Sequence, residues 1–470
     1  VNRQTFATIG ALLAATAALP PGVSAQSPAP TSAPASAPSG VPRLQFEKTT
    51  LPNGLEVILH EDHSTPIVVV NTWYKVGSGD EKPGRTGFAH LFEHIMFMGS
   101  ENVPVGQFDK WLEAAGANNN GSTTEDRTNY YESMPSNALP LALWLDADRM
   151  GRLLPVMDQS KLDLQRDVVK NERRQRVDNV PYGKWRETVL AALYPADHPY
   201  HWPVIGSMAD LSAASLEDVK QFFRTYYAPN NATLVIAGDF NRDSAMTWVN
   251  RYFAGIPRGP QMPARPVVPA VIVPRDTFLV LEDRVTLPRL FEVWETGRIY
   301  APDDAPLDVL ASVLAGDKNA RLYKRLVFDM QVAQDVTALN VSTKLDGNFN
   351  IIVTPKPGQT PTRMAELVSE EIGKVVKDGI TPRELARALN SRRADFLDQI
   401  ASVLGKSDRL AEYNYFAGTP DYIQQDAARY DRVTAADVQR VAAQYLTKPK
   451  VVLTVVPQGK SELMVSGGTR

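Results

Sequence analysis

Residues 88–100 read FAHLFEHIMFMGS and set two imidazoles, His90 and His94, four positions apart with Glu93 between them. On a helix, positions i and i+4 share a face, so both rings can reach one ion. Imidazole nitrogen suits zinc and ligates in its neutral form. Glu93 falls on the neighbouring ridge, where it can stand beside the ion's open position without ligating it. The alternative is a solvated or internally satisfied helix face. Leu91, Phe92, Ile95, Met96 and Phe97 argue against it, because they make the helix largely buried. Three ionisable groups on one buried turn need a compensating partner, and a metal is one. The order His-x-x-Glu-His inverts the commoner zinc-protease motif. A catalytic zinc also needs a third protein ligand. Glu172 is the candidate, in the segment LQRDVVKNERRQRVDN (164–179), which reads as a helix with Leu164, Val168 and Val169 on its apolar face. An arginine salt bridge or plain exposure would account for Glu172 equally well. Such a set does hydrolysis. Zinc acidifies water and polarises a carbonyl, and Glu93 can take the proton and pass it to the leaving amine.

The elements that must position these groups lie in a chain of 470 residues, 43% apolar and 22% charged, which is an ordinary globular composition. The formal net charge of −3 gives no reason to expect a nucleic-acid partner. Cysteine is absent, which excludes disulfide scaffolds, thiolate metal sites and cysteine nucleophiles. Residues 1–25, with Arg3, the small apolar run Phe6 to Leu19 and Val23-Ser24-Ala25, have the pattern of a secretory signal peptide. Pro20-Pro21 interrupts the run, and no later segment offers 18 uncharged apolar residues, so no membrane span is expected and the mature chain is expected to be exported, most naturally to a bacterial periplasm. Residues 26–43 read as a Pro/Ala/Ser-rich tether.

The rest divides in two. Six prolines in 257–274 mark a stiff linker between units 44–256 and 275–460, with 461–470 as a tail. The halves repeat each other. SLEDVKQFFRTYYAPNNATLVIAGDF (215–240) aligns with TAADVQRVAAQYLTKPKVVLTVVPQG (434–459) at a constant offset, and the strand around Trp73 corresponds to that around Trp294. A duplicated α/β unit follows. The second copy lacks the metal motif, reading PLDVLASVL at 306–314.

With HLFEH at 90–94, QRDVVKNE at 165–172 ending 78 residues after His94, GANNNGSTTEDRTNYY at 116–131 and the duplication, the chain resembles the pitrilysin-like (M16) zinc metalloendopeptidases, and most closely their half-length processing-peptidase (M16B) branch. The resemblance implies an α+β protein of the LuxS/M16-like metallopeptidase fold. Its two homologous α/β domains would each carry a mixed, largely antiparallel sheet covered by helices, together forming one half of a clamshell. It implies one Zn2+ per chain, held by His90, His94 and Glu172, with Glu93 as general base. It places Asn120 on a strand bordering the cleft, with residues 118–124 as the edge to which an extended peptide adds.

Two departures from the family pattern stand out. Gln165 replaces a glutamate that usually supports the ligands from behind. The second half has Val327 and Gln334, in LVFDMQVAQ (326–334), where an Arg and a Tyr usually help bind substrate. A heterodimer with a related subunit carrying that pair would be complete. If the alignment is shifted, Arg321 or Arg325 with Tyr323 would serve in a homodimer. Of the remaining histidines, His60 and His63 read as surface residues, and His198 and His201 as structural. Trp73, Trp111 and Trp294 read as core. The stretch GSGDEKPG (77–84) lacks the pattern of a phosphate loop.

Overall fold

The computed structural model describes residues 40–265, 268, 269 and 271–466. The leader, most of the tether and the last residues of the tail lie outside these. Two sheets organise the chain. The first contains β1 (Glu47–Thr50), β2 (Glu56–Glu61), β3 (Ile67–Tyr74), β4 (Asn118–Thr123), β5 (Thr128–Pro135) and β6 (Ala232–Gly238), in the order β1-β2-β6-β3-β5-β4. The second contains β7 (Thr277–Asp283), β8 (Arg289–Thr296), β9 (Ala333–Ser342), β10 (Gly347–Pro355) and β11 (Val451–Pro457), in the order β7-β11-β8-β10-β9. Leaving β1 aside, the two orders coincide strand for strand. Even the single parallel pair recurs, β2 with β6 and β7 with β11, among otherwise antiparallel neighbours. Each half is thus a mixed, largely antiparallel sheet, and the duplicated pattern at 215–240 and 434–459 is its sequence trace.

The helices of the first half are α1 (Phe88–Ile95), α2 (Gln107–Ala114), α3 (Leu139–Arg152), α4 (Gln159–Arg173), α5 (Trp185–Leu193), α6 (Met208–Ala213), α7 (Leu216–Tyr226) and α8 (Arg242–Phe253). Those of the second are α9 (Asp304–Ala315), α10 (Pro361–Asp378), α11 (Pro382–Gln399), α12 (Val403–Glu412), α13 (Ile423–Asp431) and α14 (Ala435–Tyr445). Corresponding helices start the same way. Ser215 and Asp218 open α7 with a reciprocal capping box, and Thr434 and Asp437 do so for α14. No helix among the described residues is long and apolar enough to cross a membrane.

Side chains alternate along each strand, so each sheet presents two faces. On one face of the first sheet, Val68 and Val70 of β3 and Leu234 and Ile236 of β6 pack with Leu91, Phe92 and Ile95 of α1 and with Leu143 of α3. The opposite face is covered by the other half of the chain. Trp73 and Val235 pack there against Leu410 and Ala411 of α12. The exchange is reciprocal, for Val189, Leu190 and Leu193 of α5 pack on Phe291, Val293 and Leu453 of the second sheet. Both faces are therefore buried, which is why β6 and β11 read as near-continuous apolar runs. Truncating one such leucine to alanine costs about 2–5 kcal/mol.

Several expectations need correction. His60 is buried, with Nδ1 2.6 Å from the Gln45 carbonyl, because alternation along β2 turns it toward the N-terminal segment. His63, by contrast, is exposed as expected and meets Asp239 at 2.6 Å. Leu164 and Val168 of α4 are exposed and only Val169 is buried, so the inner face of α4 is set a third of a turn away from the expected one. The packed chain begins within the expected tether, at buried Val41, whose carbonyl accepts from Gln424 Nε2 (2.9 Å). It extends into the expected tail, where Val465 joins the second core. Trp73 and Trp294 are buried as expected, and Trp111 is half-buried against Trp144.

Candidate metal centre

Helix α1 carries His90, Glu93 and His94. It starts at Gly87, whose φ of 85° is a left-handed conformation that favours glycine, and a Cβ there would lie 2.8 Å from the Ile205 carbonyl oxygen. The helix start is held by Glu81, which accepts from the Gly87 amide (2.9 Å) and the Ala89 amide (2.8 Å). Burial pushes the Glu81 carboxyl well up, and the two amides oppose that. Sequence reasoning missed Glu81. The available signal was an acidic residue just ahead of a helix N-terminus, where orphan amides favour it. The imidazoles face α4, which brings in Glu172. Its Oε2 lies 3.1 Å from His94 Nε2 and 3.6 Å from His90 Nε2, and the two Nε2 atoms are 3.4 Å apart.

These separations fit a zinc ion. Ligands about 2.1 Å from a tetrahedral zinc stand roughly 3.4 Å from one another. Among the described residues, these are the three His, Asp or Glu side chains whose ligand atoms gather closely enough to hold an ion. The donor chemistry also fits. Burial, reinforced by the neighbouring His94, pulls His90 down to about 4, against the opposing pull of Glu172, so its ring is neutral near pH 7. The contact with His94 holds the Glu172 carboxyl below its ordinary range. Arg176, mostly in solvent, takes the other carboxylate oxygen at 2.8 Å, so the arginine partner and the ligand role coexist on one side chain.

Glu93 lies beside this triad and lines a cleft of ≈ 280 Å³ with His94, Phe97, Asp109, Asn119 and Asn120. Its Oε2 accepts from Thr123 Oγ1 (2.6 Å). Burial raises its carboxyl, with the Thr123 bond and His94 opposing. A raised carboxyl is a stronger base. Strand β4 approaches closely because position 121 is glycine. A Cβ there would sit 2.9 Å from Glu93 Cγ. Thr123 shares that face of β4, since residues two apart do so, and strand alternation was the signal that could have found it. β4 is an edge strand, paired with β5 alone. Asn120 lies on it with its Oδ1 accepting the Gly121 amide (2.8 Å).

Gln165 is buried, but its amide donates to Met98 Sδ (2.7 Å) and not to an imidazole. Among the described residues, His90 Nδ1 is buried without a protein partner. His198 and His201 are elsewhere, stacked on Tyr194 (4.5 Å between centroids) and bonded to the Tyr194 carbonyl (2.8 Å) respectively. In the second half, Val327 lies in a π-helical turn (Tyr323–Asp329) and Gln334 is exposed on β9. Arg321 is paired with Glu384 (2.6 Å) and Arg325 with Glu371 (2.7 Å), while Tyr323 packs against the second core.

Two family models match the chain: insulinase (peptidase family M16) over residues 56–199 and peptidase M16 inactive domain over residues 213–392. The zinc protease PqqE of Helicobacter pylori is 31% identical over 415 residues, covering 85% of this chain and 90% of that one. A crystal structure of a protease from Helicobacter pylori, 27% identical, superposes with a TM-score of 0.81 and covers 88% of this chain and all (100%) of that one. The periplasmic protease PqqL from Escherichia coli shares the fold at 17% identity and a TM-score of 0.74, and 91% of this chain matches 49% of PqqL.

Proposed function

Because the chain belongs to the M16 family of peptidases, we propose that it is a zinc-dependent endopeptidase acting on extended peptides or unfolded segments. The observation that carries this reading is the convergence of His90, His94 and Glu172 within bonding range of one ion, beside a carboxylate that does not join them. Zinc held there would supply Lewis acidity, drawing electron density from oxygen and making water and the scissile carbonyl more reactive. Glu93 takes the proton from the attacking water and returns it to the leaving nitrogen. Thr123 holds one oxygen of Glu93 so that the carboxylate keeps its aim. The open edge of β4 offers main-chain donors and acceptors to a peptide lying alongside, an interaction that reads backbone and tolerates many side chains. Asn120 lies on that edge, and Gln165 supports α4 from within.

The same reading includes a chamber built from two chains. A heterodimer with a related subunit carrying the Arg/Tyr pair is favoured, because Arg321 and Arg325 are each engaged by carboxylates of their own half. The match to about half of PqqL agrees with a half-length unit. Export to the periplasm rests on the leader pattern of residues 1–25. The test is cleavage of an unstructured peptide library, read by mass spectrometry. The zinc-loaded chain, alone and co-purified with its native partners, should cut. The same preparation with Glu93→Gln should not. Equal cutting by both would overturn the reading. Binding without cutting in every preparation would favour a peptide-binding scaffold instead.

A further inference from the structure

Strand β4 has an unusual problem. Its sequence, NNNGST (118–123), has no apolar side chain, and as an edge strand it has one neighbour. Register is strongly specified only where an apolar face is buried, and a one-residue slip would exchange its faces. Here a slip would turn Thr123 away from Glu93 and set a side chain where Gly121 must be. Something other than hydrophobic burial pins this strand.

We propose that Arg127 is a positioning residue that fixes the register of β4, acting through a polar chain anchored on α12 of the second half. Arg127 lies where β4 turns into β5. Its Nη1 donates to the Ser122 carbonyl (2.8 Å), to Ser122 Oγ (2.5 Å) and to Asn129 Oδ1 (3.0 Å). Ser122 Oγ donates to the same Asn129 oxygen (2.7 Å). Asn129 Nδ2 donates to Asn71 Oδ1 (3.0 Å), and Asn71 Nδ2 donates to Asp408 Oδ1 (2.7 Å) and Ser407 Oγ (3.1 Å). The chain thus crosses from β4 through β5 and β3 to α12. Every donor points the same way, from a guanidinium at one end to a carboxylate at the other. In a buried setting each amide polarises the next. Asn71 and Asn129 are fully buried; among the described residues Arg127 makes no direct ion pair, and the carboxylates that act on its charge from farther off are Asp408 first, which the two amides reach, then Glu412, Glu93 and Glu125. Its guanidinium also lies over the Trp73 ring, 5.0 Å from the centroid.

The far side of the same turn is clamped as well. Asp126 receives Tyr200 Oη (2.8 Å), Arg265 of the linker (2.8 Å) and the Lys344 amide (3.0 Å). The turn cannot move alone, and Ser122 is the point at which that rigidity passes into the strand. The metal-free half therefore contributes to the site at a distance, by supplying Asp408.

The effect on catalysis rests on the peptidase reading, and the test separates the two. Hydrogen exchange of the β4 amides, zinc content and steady-state kinetics on an unstructured peptide are measured on the full chain for Arg127→Met, Arg127→Lys, Asp408→Ala and Asp408→Asn. Arg127→Met should speed β4 exchange by about tenfold or more and raise KM by about tenfold, with one zinc retained. Arg127→Lys keeps the charge and one bond, and should fall between Met and the parent, which covers the case that Met does not fold. Asp408→Asn retains the acceptor but not the charge and should fall between the parent and Asp408→Ala, which should exchange β4 faster of the two. Unchanged β4 exchange in both Arg127 variants would overturn the proposal, as would zinc loss in step with faster exchange. If the parent cleaves nothing, the peptidase reading fails and exchange alone decides the role of Arg127.

Discussion

The cleft of the first half has a counterpart in the second. There, α9, the edge strand β9 and α11 enclose ≈ 230 Å³ in the places that α1, β4 and α4 occupy in the first half. Asp308 and Ser312 line it from consecutive turns of α9, Asn340 from β9 and Arg392 from α11. The scaffold is the same and the chemistry is not. In the second cleft the carboxylate is satisfied by its own chain. Asp308 pairs with Arg392 (3.1 Å) and accepts from Tyr430 Oη (2.6 Å) and Asn340 Nδ2 (3.2 Å). In the first cleft, three ligand atoms converge within 3.1–3.6 Å, and the one arginine in contact sits on the solvent side of Glu172. Where a built-in guanidinium supplies the positive charge, no ion is needed. Where two imidazoles and a carboxylate gather with their ligand atoms this close, the donor set is one that can hold an ion.

The contrast can be broken most severely at Glu93. Glu93→Gln removes the proposed base and leaves the three proposed ligands, so turnover should fall by about 10²–10⁴-fold while zinc content measured by mass spectrometry stays the same. Next comes Glu172→Gln, which replaces a carboxylate ligand with a neutral amide. Zinc affinity, measured by competition with a chelator, should drop by more than about 100-fold. Gly121→Ala brings a methyl against Glu93 Cγ. Overpacking of this kind costs about 1–3 kcal/mol, so a lowered Tm with reduced kcat is expected. The smallest effect should come from the second cleft. Arg392→Met strips Asp308 of its half-exposed cation, with a loss of about 1–2 kcal/mol in denaturant unfolding and no change in zinc binding.

How much of this was legible in the sequence depends on the range of the interaction. His90, Glu93 and His94 could be read directly, because an i, i+4 spacing on a helix is a local fact. Glu172 could be named from its helix as one candidate among bland readings, and only the family resemblance chose ligation, since nothing local links it to residues 78 positions earlier. The duplication was visible because both copies keep the same capping box and the same following strand. The exchange of α5 and α12 between sheets was not, for it pairs elements with no shared local pattern. That exchange also explains why Trp73 and Val235 are buried on a face that a single half would leave open. Leu164 and Val168 misled because three apolar positions fit two adjacent faces of α4, and only packing chose between them. Gln165 shows the limit of position-by-position reading. It occupies the expected place on α4, yet its amide finds Met98, and His90 Nδ1 is left without a protein partner among the described residues.

The most direct check is zinc-edge anomalous diffraction from crystals of the Glu93→Gln chain. The expected result is one peak about 2.0–2.2 Å from His90 Nε2, His94 Nε2 and a Glu172 carboxylate oxygen. A peak at any other residues, or none at this triad in zinc-saturated crystals, would contradict the account.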